Sequence, residues 1–134
     1  MFAPEVDINE GMRQLEEMAG KVTPKAATKD DGGKPMVYSL FLAYFPRAIR
    51  EVARVSEYGM KKYHAKPETQ GFRAVPDAVR RYGDGLVRHL LDEITDGPIN
   101  EKDGGVRHMA QQAWNAMARL EVALEKEERE RRGN

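Results

Sequence analysis

Arg80-Arg81-Tyr82-Gly83-Asp84-Gly85-Leu86-Val87-Arg88-His89 is the most informative segment of the chain. Around it Val79, Tyr82, Leu86, Leu90 and Ile94 recur at intervals of three and four residues, the period of a helix with one apolar stripe. Pro76-Asp77 opens the segment and Asp96-Gly97-Pro98 closes it. Arg81, Asp84, Arg88 and Asp92 fall at offsets 0, 3, 7 and 11 and share a second face. Alternating charge is ordinary on a solvated helix face. Here it borders a broad apolar stripe, and similar polar sets recur on two other helices. A bundle holding a metal and a phosphate would show this pattern in its sequence.

The same period predicts three more helices. Ile8, Met12, Leu15 and Met18 mark one from Asp7 to about Gly20, with Asp7 as cap and Glu10 three residues on. Pro46 suits the first turn of a second, running through Ile49, Val52, Val55 and Gly59 towards Tyr63. A fourth begins near Gly105 and carries Val106, Met109, Ala113, Met117, Leu120 and Leu124. Residues 21–35, with paired glycines and two prolines, read as a loop, and 64–75 as a long connection or lid. The C-terminal EKEERERR run is a charged helix end or a frayed tail, with Glu125–Arg129, Glu127–Arg131 and Glu128–Arg132 at i,i+4, each worth about 0.3 kcal/mol. No β alternation or internal repeat stands out, so the class is all-α, a bundle of four to five helices in a single domain over 1–134.

Composition narrows the function. In 134 residues, 22 basic side chains balance 22 acidic ones, so no global field draws the chain onto nucleic acid or an anionic membrane. The absence of cysteine excludes disulfides and thiolate metal sites. No apolar run approaches the roughly 20 residues of a membrane span, and Glu5, Asp7 and Glu10 are unlike a signal peptide. The expectation is a soluble cytoplasmic protein without direct nucleic-acid or membrane partners.

Glu51, Val55, Tyr58 and Lys62 share a face of the second helix; His108, Gln112, Asn115 and Arg119 share one of the fourth. With Arg81, Asp84 and Arg88 these faces either converge on a pocket or meet water. If they converge, facing carboxylates suit a hard cation such as Mg²⁺, and Arg and Lys suit the remaining phosphate charge. Phosphoryl transfer depends mainly on positioning and charge stabilisation, which such a bundle supplies. Competing motifs are missing. There is no GxxxxGK[ST] loop and no HExxH, none of His64, His89 and His108 is followed by Asp, and Ser39 and Ser56 lack a nucleophile-elbow context.

Four blocks together carry a resemblance: Lys29-Asp30-Asp31-Gly32-Gly33-Lys34-Pro35; Glu51 to Val55 leading to Tyr58-Gly59-Met60-Lys61-Lys62-Tyr63; Arg81-Tyr82 through Arg88-His89-Leu90; and His108 with Ala113-Trp114-Asn115-Ala116. Over about residues 29–125 the chain resembles the phage dATP/dGTP diphosphohydrolase family, MazG-like enzymes of the all-α NTP pyrophosphohydrolase group. Within that group the chain resembles the MazZ type, from phages that replace adenine with 2-aminoadenine. The resemblance implies a purine deoxynucleoside triphosphate substrate, dGTP favoured and dATP possible, and a Mg²⁺ or Mn²⁺ cofactor. Water activated by the ion would attack the α-phosphorus, releasing pyrophosphate and the monophosphate. It implies too a homodimer or homotetramer in which subunits complete one another's sites.

The general MazG pattern is ExxE followed by ExxD. Here Glu51 is followed by Arg54, and Asp84 is preceded by Arg81; only Glu93-Ile94-Thr95-Asp96 reads ExxD. The usual Asn-Trp after the KKY block is missing, and the usual Gly-Glu appears as Asp96-Gly97. On the resemblance, Glu51 and Asp84 are the expected catalytic metal ligands, with Glu93 and Asp96 as further candidates. Lys34, Lys61, Lys62, Arg81, Arg88 and His108 are the expected phosphate or nucleotide contacts, and Asn115 a sugar or phosphate contact. The rival reading is a non-catalytic helical oligomer that binds a nucleotide or a partner protein.

Overall fold

The computed structural model describes residues 8–21 and 27–133, without the side chains of 19–21. The chain divides into two compact units, Met1–Pro35 and Met36–Asn134. In the first, helix α1 (Ile8–Lys21) places Glu10 in its first turn, where a carboxylate favours the helix dipole. The expected Asp7 cap lies outside the described residues. Residues 27–35 form a loop in which Gly33 takes φ +77°, the Lys34 amide donates to the Asp31 carbonyl, and Lys34 Nζ donates to the Asp30 carbonyl.

The second unit is built on three long helices: α2 (Pro46–Lys62), α3 (Ala78–Asp96) and α4 (His108–Arg131). Pro46 starts α2, where its missing N–H costs no bond, and Lys61 and Lys62 sit in the last turn against the negative end of the dipole. Gly97, at φ +94°, ends α3 with its amide on the Glu93 carbonyl, and Pro98 forbids continuation. The longest packing seam joins α3 to α4, and α2 lies against α4.

Three features differ from the sequence expectation. Residues Tyr38–Leu42 form a single π-helical turn, closed by the Ala43 amide on the Tyr38 carbonyl at 2.9 Å. Between α3 and α4 a two-residue hairpin pairs β1 (Ile99–Asn100) with β2 (Val106–Arg107), too short to leave an alternating pattern. The apolar stripes also turn outward. Ile94 is 72 % exposed and Leu120 59 %, and Leu90, Met109, Met117 and Leu124 are exposed too. The α3–α4 seam instead buries Gly85, His89, His108, Ala110, Gln111, Ala118 and Val122. Periodicity shows which residues share a face; the small side chains decide which face lets two helices approach. Among the described residues no helix is long and apolar enough to cross a membrane.

Candidate active site

The inner faces of α2, α3 and α4 enclose an open cavity of about 1140 Å³, large for a small-molecule site. Tyr58 and Lys62 reach it from α2, Arg81, Asp84 and Arg88 from α3, and Trp114 and Asn115 from α4. Trp114 is held edge-on by Phe72 and Tyr82, ring centres 5.9 and 5.6 Å away, while its indole N–H donates to Ser56 Oγ at 2.8 Å. Tyr82 Oη donates to the Phe72 carbonyl at 2.8 Å. Burial raises the Tyr82 phenol above its ordinary range, partly countered by the nearby Arg81 charge. Arg73 stacks on Phe72 and pairs with Glu121 and Glu125 of α4. The 64–75 connection is thus fastened to the helices on which the cavity stands.

The floor of the cavity is organised around Asp103. Tyr58 Oη donates to its Oδ1 at 3.3 Å, Asn100 Nδ2 and Gln111 Nε2 donate to Oδ2 at 3.1 and 3.2 Å, and Lys62 Nζ lies 3.8 Å away. Asn100 also accepts the Asp103 amide and donates to Gln111 Oε1, so the buried Asn100–Gln111 pair is satisfied from within the hairpin. Gly104 completes the turn at φ +67°, and a Cβ there would stand 2.6 Å from the Tyr58 ring. Higher on the wall, a Cβ on Gly85 would lie 2.6 Å from Asn115 Oδ1 and 3.6 Å from the Arg88 guanidinium. Asn115 and Arg88 therefore meet over a bare backbone.

Behind Arg88, at the α3–α4 seam, His89 and His108 are 8 % and 3 % exposed, with their Nδ1 atoms 3.4 Å apart. Asp92, half-buried and one turn after His89, brings a carboxylate oxygen into the same group, all three ligand atoms lying within 4.8 Å of one another. Burial lowers the His89 pKa, reinforced by Arg88 and His108 and opposed by Asp103 and Asp92.

Residues 24–132 match the family described as dATP/dGTP diphosphohydrolase, N-terminal. The chain belongs to this family. The match spans the whole motif region and all three helices that form the cavity, and it identifies the chain as an enzyme of the NTP pyrophosphohydrolase class. No curated protein and no solved structure matches it.

Against that identity the expected residues of the enzyme separate into groups. Lys62, Arg81, Asp84, Arg88 and Asn115 line the one cavity. Asp84 is 62 % exposed at its side chain and pairs with Arg80 at 2.9 Å. Glu51 pairs with Arg54 at 3.5 Å one turn before Val55, which is itself in the cavity wall. Lys61 is exposed beside Lys62 but is not part of the wall. Glu93 accepts from Gln112 at 2.6 Å, and Asp96 is exposed in the last turn of α3. His108 faces His89 rather than the cavity, and Lys34 belongs to the other unit.

Among the described residues, the one group of three or more His, Asp or Glu side chains close enough to share an ion is His89, Asp92 and His108. Sequence reasoning passed over this group, although His89-x-x-Asp92 is an i,i+3 pair on one helix face. It missed Asp103 and Gln111 as well. Asn100-x-x-Asp103, a side chain able to cap an amide three residues on, was the available signal.

Proposed function

We propose that the cavity binds a purine deoxynucleoside triphosphate, dGTP in preference to dATP, and that the enzyme cleaves it at the α-phosphorus to the monophosphate and pyrophosphate. The observation that carries this reading is the convergence of Lys62, Arg81 and Arg88 with Tyr58, Trp114 and Asn115 in one cavity with room for a nucleotide. Three cations offset most of the charge of a triphosphate, Arg through paired donors and Lys as a point charge. Trp114 and Tyr58 offer apolar surface to a flat base. Asn115, its amide nitrogen held by the Gln111 carbonyl, presents its amide oxygen to a hydroxyl or base edge.

Mg²⁺ or Mn²⁺ fits the oxygen donors of this cavity, in whose walls Asp84 and Asp103 stand. When bound, such an ion screens phosphate charge and acidifies water. We assign Asp84 as the principal carboxylate ligand, because its solvent-screened pair with Arg80 opens at little cost. Glu51 joins it from the neighbouring turn of α2, and Glu93 and Asp96 serve as outer candidates. Asp103, fixed by Tyr58, Asn100 and Gln111, orients Lys62 and accepts a proton or hydrogen bond from the attacking water.

The chain works as a homo-oligomer, a dimer or tetramer. Val87, Leu90, Leu91 and Ile94 on α3, and Met109, Met117, Leu120 and Leu124 on α4, are exposed at helical spacing. Covering each such side chain contributes about 1.5–3 kcal/mol. In a phage that uses 2-aminoadenine, as the MazZ likeness suggests, the dGMP would supply that base's nucleotide.

A panel of dNTPs and rNTPs with Mg²⁺ or Mn²⁺, resolved by chromatography, tests the reading. dGTP converted to dGMP and pyrophosphate is expected. Binding of dGTP without turnover would instead support a non-catalytic binding module.

A further inference from the structure

The His89–His108 contact is an unusual use of two buried imidazoles. Both present the same nitrogen, Nδ1, across the α3–α4 seam, with rings 5.6 Å apart and tilted by 39°. An N–H···N bond between them is long at 3.4 Å, beyond the range of about 2.7–3.2 Å that N–H···O bonds favour. The spacing matches something else. Two nitrogens at about 2.0–2.1 Å from a tetrahedral ion stand about 3.3–3.4 Å apart. Asp92 supplies the third donor from the same face of α3, and its half-buried position leaves a route from solvent.

We propose that His89, Asp92 and His108 bind one divalent transition-metal ion of the zinc or cobalt type. Two imidazoles and a carboxylate are poor partners for Mg²⁺, which prefers oxygen, and good ones for borderline ions. Asp92, with Asp103 nearby, balances the two positive charges of the ion. Three protein ligands leave a tetrahedral ion one open position, as in sites that exchange a bound ligand. The ion ties the middle of α3 to the first turn of α4, directly behind the Arg88–Asn115 wall. The site stands on its own geometry and not on the choice of substrate.

The test is titration of chelator-treated protein with Co²⁺, followed by its visible ligand-field absorption, with Zn²⁺ and Mg²⁺ as competitors. We expect one Co²⁺ per chain, displaced by Zn²⁺ and not by Mg²⁺, and a Zn²⁺-dependent rise in the thermal midpoint. Asp92→Asn, at a half-buried position, keeps the fold and weakens Co²⁺ binding roughly tenfold or more. His89→Gln and His108→Gln, checked for folding by circular dichroism, abolish it. Absence of the band at stoichiometric Co²⁺, or undiminished binding in Asp92→Asn, overturns the site and leaves a simple imidazole–imidazole hydrogen bond. Metal binding is read without turnover, so a protein that binds Co²⁺ but does not cleave dGTP refutes the substrate reading alone.

Discussion

Asn115 Oδ1 occupies the space that a Cβ at position 85 would need, 2.6 Å from where that atom would stand. Gly85 is buried in α3, and Asn115 is anchored by its own amide on the Gln111 carbonyl at 2.7 Å, so neither yields easily. Gly85→Ala should therefore destabilise the chain by about 1–3 kcal/mol and swing Asn115 out of the cavity. Denaturant unfolding of Gly85→Ala alone and combined with Asn115→Ala checks this. The penalty should shrink in the double variant, and a fully additive result would remove the proposed clash.

Arg88 is expected to carry phosphate affinity. Arg88→Ala should raise KM for dGTP about tenfold or more, the effect of losing a charge-assisted hydrogen bond of about 1.5–3 kcal/mol. Arg88→Lys should recover part of it, because lysine keeps the charge but loses the planar fork. Steady-state kinetics at two salt concentrations distinguishes the cases. An unchanged KM in Arg88→Ala would take this residue out of the site.

The three helices of the second unit were legible because a proline start and an apolar period agree over α2, a glycine–proline stop joins them over α3, and the period alone sufficed for α4. That Arg81 and Arg88 share a face was legible for the same reason, but whether that face meets Lys62 and Asn115 or only water is decided by the cavity that joins them. Orientation was not. Leu90 and Leu120 read as core but are exposed, because Gly85, Ala110 and Ala118 let α3 and α4 approach through their small-residue face. The Asp103 floor and the His89–His108 contact depend on a hairpin with two residues per strand, and nothing in a linear pattern foretells where such a turn returns the chain. Even the charged tail departs in detail. Glu128 pairs with Arg132 at i,i+4 as expected, whereas Glu125 turns to Arg73 on the connection.

Tyr82 makes stability sensitive to alkali. Burial raises its folded pKa, so the unfolded chain releases this proton first. The contribution is complete below the unfolded value of about 10 and is lost as pH rises through the folded value. Tyr82→Phe should cost about 1 kcal/mol at neutral pH, since the Phe72 carbonyl loses its donor, yet decline less steeply above pH of about 10. Parallel pH–stability curves for the two proteins would contradict the assignment.

Exposed Ile94 and Leu120 predict self-association. Light scattering at micromolar concentration should report a dimer or tetramer, and Leu120→Glu should lower the mass towards the monomer while helicity is retained. A monomeric wild-type chain would leave the apolar faces without this explanation.

The proposed reaction is attack of water at the α-phosphorus within the cavity of Lys62, Arg81, Arg88 and Asn115. Its most direct measurement is turnover of dGTP in heavy-oxygen water, with mass analysis of both products. The label should appear in dGMP and not in pyrophosphate; label in pyrophosphate, or release of orthophosphate with dGDP, would contradict the account.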